Sequence, residues 1–242
     1  MHKTDSSSLA QRRALLMSAL GSGLLIGGLG WSELARAGLF GRRPRKLGPD
    51  ESIFEMEGRV LVNGQPARRD RRILASDRIE VGPGGHIVYA VGDNAYMLRE
   101  RSILEMDGKD LITSGLRLIS GAVLGVFGKR QRSLPLTTRA ATIGIRGTAL
   151  YTAVMPDMSY VCTCYGQVDM QSTARPDATE SVSTRYHDAP RYILDNPGGG
   201  PAILPAPVID HTDMELITLE ALVGREVPFA APAPPIGSRR GY

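Results

Sequence analysis

The sequence predicts an all-β protein, built of short stacked or sandwiched strands, with one short C-terminal helix. Three observations carry that expectation. Only 5% of the 242 residues are aromatic, against 28 Gly and 16 Pro, a balance that suits strands and turns better than long helices. From Ser52 onward the apolar residues fall in segments of strand length. Turn-forming pairs separate those segments at regular intervals, as in a coiled β-solenoid or a sandwich. A hydrophobic content of 42% is enough for one substantial core, so one main domain is expected.

The N-terminus reads as an export signal over residues 1–37. A polar, weakly basic start leads into an apolar run at 14–31, and Ala35-Arg36-Ala37 supplies small residues for cleavage. Arg12-Arg13 before Ala14, Leu15 and Leu16 resembles the twin-arginine type. The alternatives are ordinary secretory export or an uncleaved anchor, since 18 residues barely span a bilayer; the five glycines in the run speak against the anchor. Removal of 1–37 takes away Lys3, Arg12, Arg13, Arg36, Asp5 and Glu33, so the formal charge falls from +4 to +2. That charge excludes a nucleic-acid partner. The export signal implies a mature protein in the periplasm, touching the membrane only through an uncleaved signal.

Residues 38–51 are basic, carry Gly and Pro without periodicity, and read as a tether. The β domain follows at 52–171. Strands are expected at 53–62, 78–81, 86–91, 96–98, 102–106, 116–119, 122–127, 134–138, 148–155, 159–165 and 167–171. Asn63-Gly64 supplies a hairpin turn, and Gly82-Pro83-Gly84-Gly85, Gly92-Asp93-Asn94, Asp107-Gly108 and Pro156-Asp157 supply others. Arg42-Arg43-Pro44-Arg45-Lys46 and Arg68-Arg69-Asp70-Arg71-Arg72 are local basic clusters, read as solvated loops.

A C-terminal extension is expected at 172–229. The polar stretch after Gln171 reads as a loop or hairpin tip, 192–194 as one more strand, and Asn196 to Pro201 as a stop. A helix is expected at 212–223. Thr212 and Glu215 form a capping box, Met214, Ile217, Leu219 and Leu222 give an apolar face, and Gly224 closes it. The Pro- and Ala-rich tail at 230–242 is expected to be disordered.

Residues 58–170 resemble the FecR-type domain, named after a periplasmic regulator of iron-dicitrate transport. The marks are Gly58-Arg59-Val60 with Asn63-Gly64, the stretch from Leu74 to Val81 leading into a Gly turn, Leu118-Ile119-Ser120-Gly121-Ala122-Val123, and Thr142-Ile143-Gly144-Ile145-Arg146-Gly147-Thr148, followed by Gly166-Gln167-Val168. The resemblance implies an all-β, extracytoplasmic, non-enzymatic module. Gly144 and Gly147 would allow special dihedrals or close approach, Thr148 would start a strand, and Arg146 would bond turn carbonyls. Those are structural roles; ligand or partner binding by Arg146 is the alternative. Regulatory members carry a sigma-factor-binding domain before a membrane helix, and only about 13 residues precede the apolar run here, so the expectation is a stand-alone module.

The two cysteines, Cys162 and Cys164, fall in one predicted strand and face the same way. A strained disulfide or a pair of buried free thiols is one reading. Metal ligation is another, with His187 and His211 completing a Cys2His2 set for one zinc, iron or copper ion; His86 reads as an ordinary turn or strand residue. A dithiol redox role lacks the Cys-x-x-Cys spacing. Phosphate-loop, nucleophile-elbow, zinc-protease and haem-attachment motifs are absent. The function expected is therefore a non-enzymatic periplasmic protein that binds or scaffolds an envelope protein or ligand. Metal or redox handling at the four residues, and cell-wall glycan binding, are its alternatives.

Overall fold

A computed structural model describes residues 44–187 and 189–229. The export segment with Arg12, Arg13, Ala35 and Ala37, the start of the tether and the tail at 230–242 lie outside the described residues. Among the described residues, no helix is long and apolar enough to cross a membrane.

Among the described residues the chain is all-β with a single helix. It runs through β1 (Ile53–Glu57), β2 (Val60–Val62), β3 (Gln65–Pro66), β4 (Arg78–Val81) and β5 (His86–Val91). Then come β6 (Asn94–Leu98), β7 (Ile103–Lys109), β8 (Ile112–Val126), β9 (Leu134–Thr137) and β10 (Ala141–Ile145). After β11 (Ala149–Met155) and β12 (Met158–Ser172) follow β13 (Thr179–Thr184), β14 (Arg191–Leu194), β15 (Ile203–Pro205) and α1 (Asp213–Leu222).

Two long strands organise everything else. The C-terminal half of β8 and the N-terminal half of β12 belong to a first sheet, β1-β5-β6-β8-β11-β12-β14-β15. Their other halves belong to a second, β3-β2-β4-β7-β8-β9-β10-β12-β13. Pairings β8-β11-β12-β10-β9-β8 close into a ring, so this part of the molecule is a small barrel. Each shared strand crosses between sheets at a glycine in the left-handed region. Gly121 (φ +71°) turns β8 and Gly166 (φ +90°) turns β12. A Cβ at Gly121 would lie 2.5 Å from the Ser102 Cα, and one at Gly166 2.7 Å from the Thr148 Cβ. Both corners are thus closed to any other residue.

The first sheet is apolar on both faces, which is why its strands read as continuous apolar runs. Ile87, Tyr89, Val91, Tyr96, Leu98, Leu150 and Val161 point into the barrel-side core. Their neighbours Val88, Met97, Leu124, Tyr151, Tyr160, Cys162 and Cys164 point outward, under a second apolar layer made by the C-terminal extension. That layer is α1 with Leu216, Leu219 and Leu222. The predicted capping box is formed: Thr212 Oγ1 accepts from Glu215 N at 3.4 Å, and Glu215 Oε2 accepts from Thr212 N at 2.9 Å. The buried face differs from the predicted one. Met214 and Ile217 are only partly covered, while Glu215 and Glu220 go inward to meet Arg99 at 2.8 Å and Arg225 at 2.6 Å.

Several predicted boundaries shift. The single strand expected at 53–62 is broken into β1 and β2 by Gly58 (φ +72°). Segments 116–119 and 122–127 fuse into β8, as 159–165 and 167–171 fuse into β12. Asp107-Gly108 is a register shift within β7 and β8; the hairpin turn is Asp110-Leu111, with Asp110 at φ +53°. Of the two readings of the stretch after Gln171, loop or hairpin tip, the hairpin is the one formed: β13 pairs antiparallel with β12 and begins at Thr179.

The Gly-x-Arg-Gly-Thr run is also redistributed. Gly144 sits inside β10 opposite Asp169, with ordinary room for a Cβ. Gly147 does need its glycine, at φ +87° and with a Cβ position 2.7 Å from the Lys129 Cα. Arg146 reaches the Asp169 carboxylate at 3.0 Å rather than turn carbonyls, because Asp169 pairs with Gly144, two residues before Arg146 along the chain. Thr148 precedes β11 and donates its hydroxyl to the Tyr165 carbonyl.

Candidate metal centre

Cys162 and Cys164 occupy alternate positions of β12, so both sulfurs emerge on the outer face of the first sheet. Both are free thiols and fully buried. A regular strand separates the Cα atoms of residues two apart by about 6.6 Å, at the upper edge of what a disulfide tolerates, about 6.8 Å.

Topology brings His187 to them. On one edge of β12, β13 pairs with residues 166–171 and β14 with residues 158–161. The intervening segment must therefore pass beside residues 162–165. His187 is on it, with its N–H donating to the Cys164 carbonyl at 2.9 Å and its φ at +42°. His211 arrives by a different path. After β15 the chain is pinned across the sheet by Tyr160, whose hydroxyl donates to the Pro207 carbonyl at 2.9 Å and accepts from Ile209 N at 3.2 Å. Asp210 turns at φ +56°, and the His211 ring then stacks on Tyr151, 4.8 Å between centroids and 17° between planes.

The four donor atoms of Cys162, Cys164, His187 and His211 all lie within 4.8 Å of one another. His187 Nδ1 is 3.6 Å from Cys162 Sγ and 3.0 Å from His211 Nε2. A tetrahedral ion about 2.3 Å from sulfur and about 2.05 Å from nitrogen places an S···N pair about 3.6 Å and an N···N pair about 3.3 Å apart. The fit is close.

The outward nitrogens fix which atoms point inward. His211 Nδ1 lies 2.6 Å from the Ile209 carbonyl, an acceptor only, so it carries the proton. His187 Nε2 lies 3.4 Å from Asp213 Oδ1, and Asp213 is itself held by the Tyr186 hydroxyl at 2.9 Å. If both rings are neutral, each turns a bare lone pair toward the other and toward the sulfurs, an arrangement that calls for a proton or a metal ion between them. Hydrogen bonding to Cys164, then to His187 and His211, holds the Cys162 thiol far below its ordinary range. Burial pushes Cys164 up. Burial also opposes charge on His187, but its contacts with Cys162 and Asp213 prevail and raise its pKa. Without a metal, one proton shared toward His187 answers the Cys162 thiolate; a dication answers both sulfurs.

His86 stands apart, between Glu55 at 3.5 Å and Glu57 at 3.8 Å. With Met97, Arg99, Tyr151 and Asp210, Glu55 and His86 line a trough of about 820 Å³ on the same face of the first sheet. The four donors are not among its walls. Asp213, Tyr151 and Tyr186 were not marked by spacing, although Asp213 follows His211 by two residues.

No family model matches the chain, and no curated protein matches it. Two crystal structures of a candidate anti-sigma factor from Parabacteroides distasonis share 13% identity with it, at TM-scores of 0.44 and 0.43. The alignments cover 53% of this chain and 58% of that one, so the chain spans little more than half the length of these neighbours. At that level the likeness bears on neither the site nor the function.

Proposed function

We propose that this chain is an exported, non-enzymatic, FecR-type β protein whose C-terminal extension completes a Cys2His2 centre for one zinc ion. One observation carries the metal: two buried thiols and two imidazoles converge within 4.8 Å, with both distal ring nitrogens engaged by outer partners. Export and periplasmic location rest on the pattern of residues 1–37, and the FecR-type reading rests on the motifs at 58–170. Zinc is favoured over copper because two thiolates and two imidazoles in a tetrahedron are its characteristic set. The site is closed. Four protein donors leave no position for water or substrate, which supports a structural ion rather than a catalytic one.

Elemental analysis and thiol counting on protein purified from the periplasm test this. One zinc per chain is expected, lost in Cys162→Ser, and cobalt substitution should give the thiolate charge-transfer and visible bands of a tetrahedral site. Iron in place of zinc would correct the metal; metal-free protein that also binds no added zinc would end the proposal.

A further inference from the structure

We infer that the ion is a latch: its binding locks the C-terminal segment 206–222, with α1, over the outer apolar face of the first sheet, and its loss lets that cover open. This rests on the zinc reading above and adds what the ion controls.

The ligands divide unevenly along the chain. Cys162 and Cys164 belong to β12, part of the barrel ring. His211 belongs to the cover itself, one residue before the helix N-cap Thr212. Asp213, the first helical residue, orients His187 through its Nε2. Ligand, cap and orienting carboxylate are therefore three consecutive residues at the start of α1. The helix cannot lift from the sheet without withdrawing His211 from the thiolates and Asp213 from His187.

What α1 covers is apolar. Phe54, Val88, Met97 and Leu124 lie beneath the extension, each at most 2% exposed, in the same cluster as Leu216 and Leu219. The other ties across this seam are polar: Arg99 to Glu215 at 2.8 Å and to the Asp210 carbonyl at 2.8 Å, the Tyr165 hydroxyl to Glu220, the Tyr160 hydroxyl to the Pro207 carbonyl at 2.9 Å and from Ile209 N at 3.2 Å, and Leu47 N to the Leu222 carbonyl at 3.0 Å. A helix of 10 residues is too short to persist by itself in water once undocked. Metal occupancy thus sets the balance between a covered and an uncovered sheet.

Hydrogen exchange on the full exported chain, with and without zinc, tests this. If opening of α1 requires release of the ion, amides of residues 216–222 should exchange about a hundredfold more slowly when free zinc stands a hundredfold above its Kd than in chelator. Core amides of β8 and β11 should change far less. His211→Asn, which retains a polar side chain at the seam, should show the fast, chelator-like rates even in zinc, with the β8 and β11 amides still protected as evidence of folding. One zinc per chain together with helix exchange indifferent to zinc would overturn the latch and leave the metal centre standing. A chain that binds no zinc would overturn both.

Discussion

His187 Nδ1 and His211 Nε2 face each other at 3.0 Å, and each ring has its other nitrogen turned to an acceptor, Asp213 for the first and the Ile209 carbonyl for the second. Two neutral imidazoles so oriented would bring lone pairs together at that distance, so either a proton on His187 Nδ1 or a metal ion lies between them. Cys162 lies 3.6 Å from the same nitrogen. The arrangement is a set of donors already aimed, with its outer partners in place.

Asp213→Asn should therefore weaken zinc binding without removing it. The amide retains the shape but loses the charge that raises the donor strength of His187, and outer partners of this kind are worth about 10–100-fold in metal affinity. Competition against a chromogenic chelator would measure it. Stability in chelator should fall only slightly, by about 0.5 kcal/mol, for the lost negative charge at the helix N-terminus.

The two corner glycines should be much less tolerant than the hairpin glycine. Gly166→Ala puts a Cβ 2.7 Å from Thr148 and 2.8 Å from the Gly147 carbonyl, at φ +90°. Strained dihedral and overlap together should cost about 3 kcal/mol or more. At Gly64, also left-handed at φ +77° but with nothing within 4 Å of the added atom, Ala should cost only about 1–2 kcal/mol. Urea denaturation of the two variants, compared at equal m-value, would separate them.

The repeating strand lengths, the Asn63-Gly64 turn and the Thr212 capping box were legible because each depends on residues adjacent in sequence. Asn63 and Gly64 both adopt positive φ, as the hairpin turn between β2 and β3 requires. Tyr151 beneath His211 was within reach too: the two-residue turn at Pro156-Asp157 pairs Met155 with Met158 and, counting outward, Tyr151 with Cys162. Other features depend on remote contacts. Periodicity did not reveal that β8 and β12 cross between sheets, since an apolar strand reads alike on either side of Gly121 or Gly166. The inward turn of Glu215 and Glu220 on α1 was hidden because it depends on Arg99 and Arg225, far away in the case of Arg99. The four metal-site residues were legible as a donor set, but their convergence follows from the way β13 and β14 share an edge of β12.

Arg225→Ala should destabilise the cover more than its partial exposure suggests. Glu220 is 5% exposed, accepts from Arg225 Nε at 2.6 Å and also receives the Tyr165 hydroxyl. Arg225 Nη1 in turn donates to the Asp93 carbonyl at 2.6 Å. Removing the guanidinium strands a buried carboxylate, at a cost of about 3 kcal/mol. Arg225→Ala with Glu220→Gln should recover part of it, because the neutral amide needs no counter-charge. Thermal melts of the two variants in zinc-saturated buffer would show the recovery; equal melting temperatures would deny the coupling.

Glu55 should make stability fall as pH rises. Burial raises its pKa above the ordinary value, against the opposing attraction of His86, and its Oε2 has no hydrogen-bond partner among the described residues. The folded state therefore holds this proton more tightly than the unfolded chain does. Its contribution is fully present below the unfolded pKa, about 4.3, is lost as pH climbs through the folded pKa, and stays lost above it. Glu55→Gln removes the dependence. The variant should gain stability relative to the parent at pH 8 and lose that advantage at pH 4, as read by urea midpoints at the two values. An advantage that is the same at both would mean the carboxylate is already relieved by His86 in the folded protein.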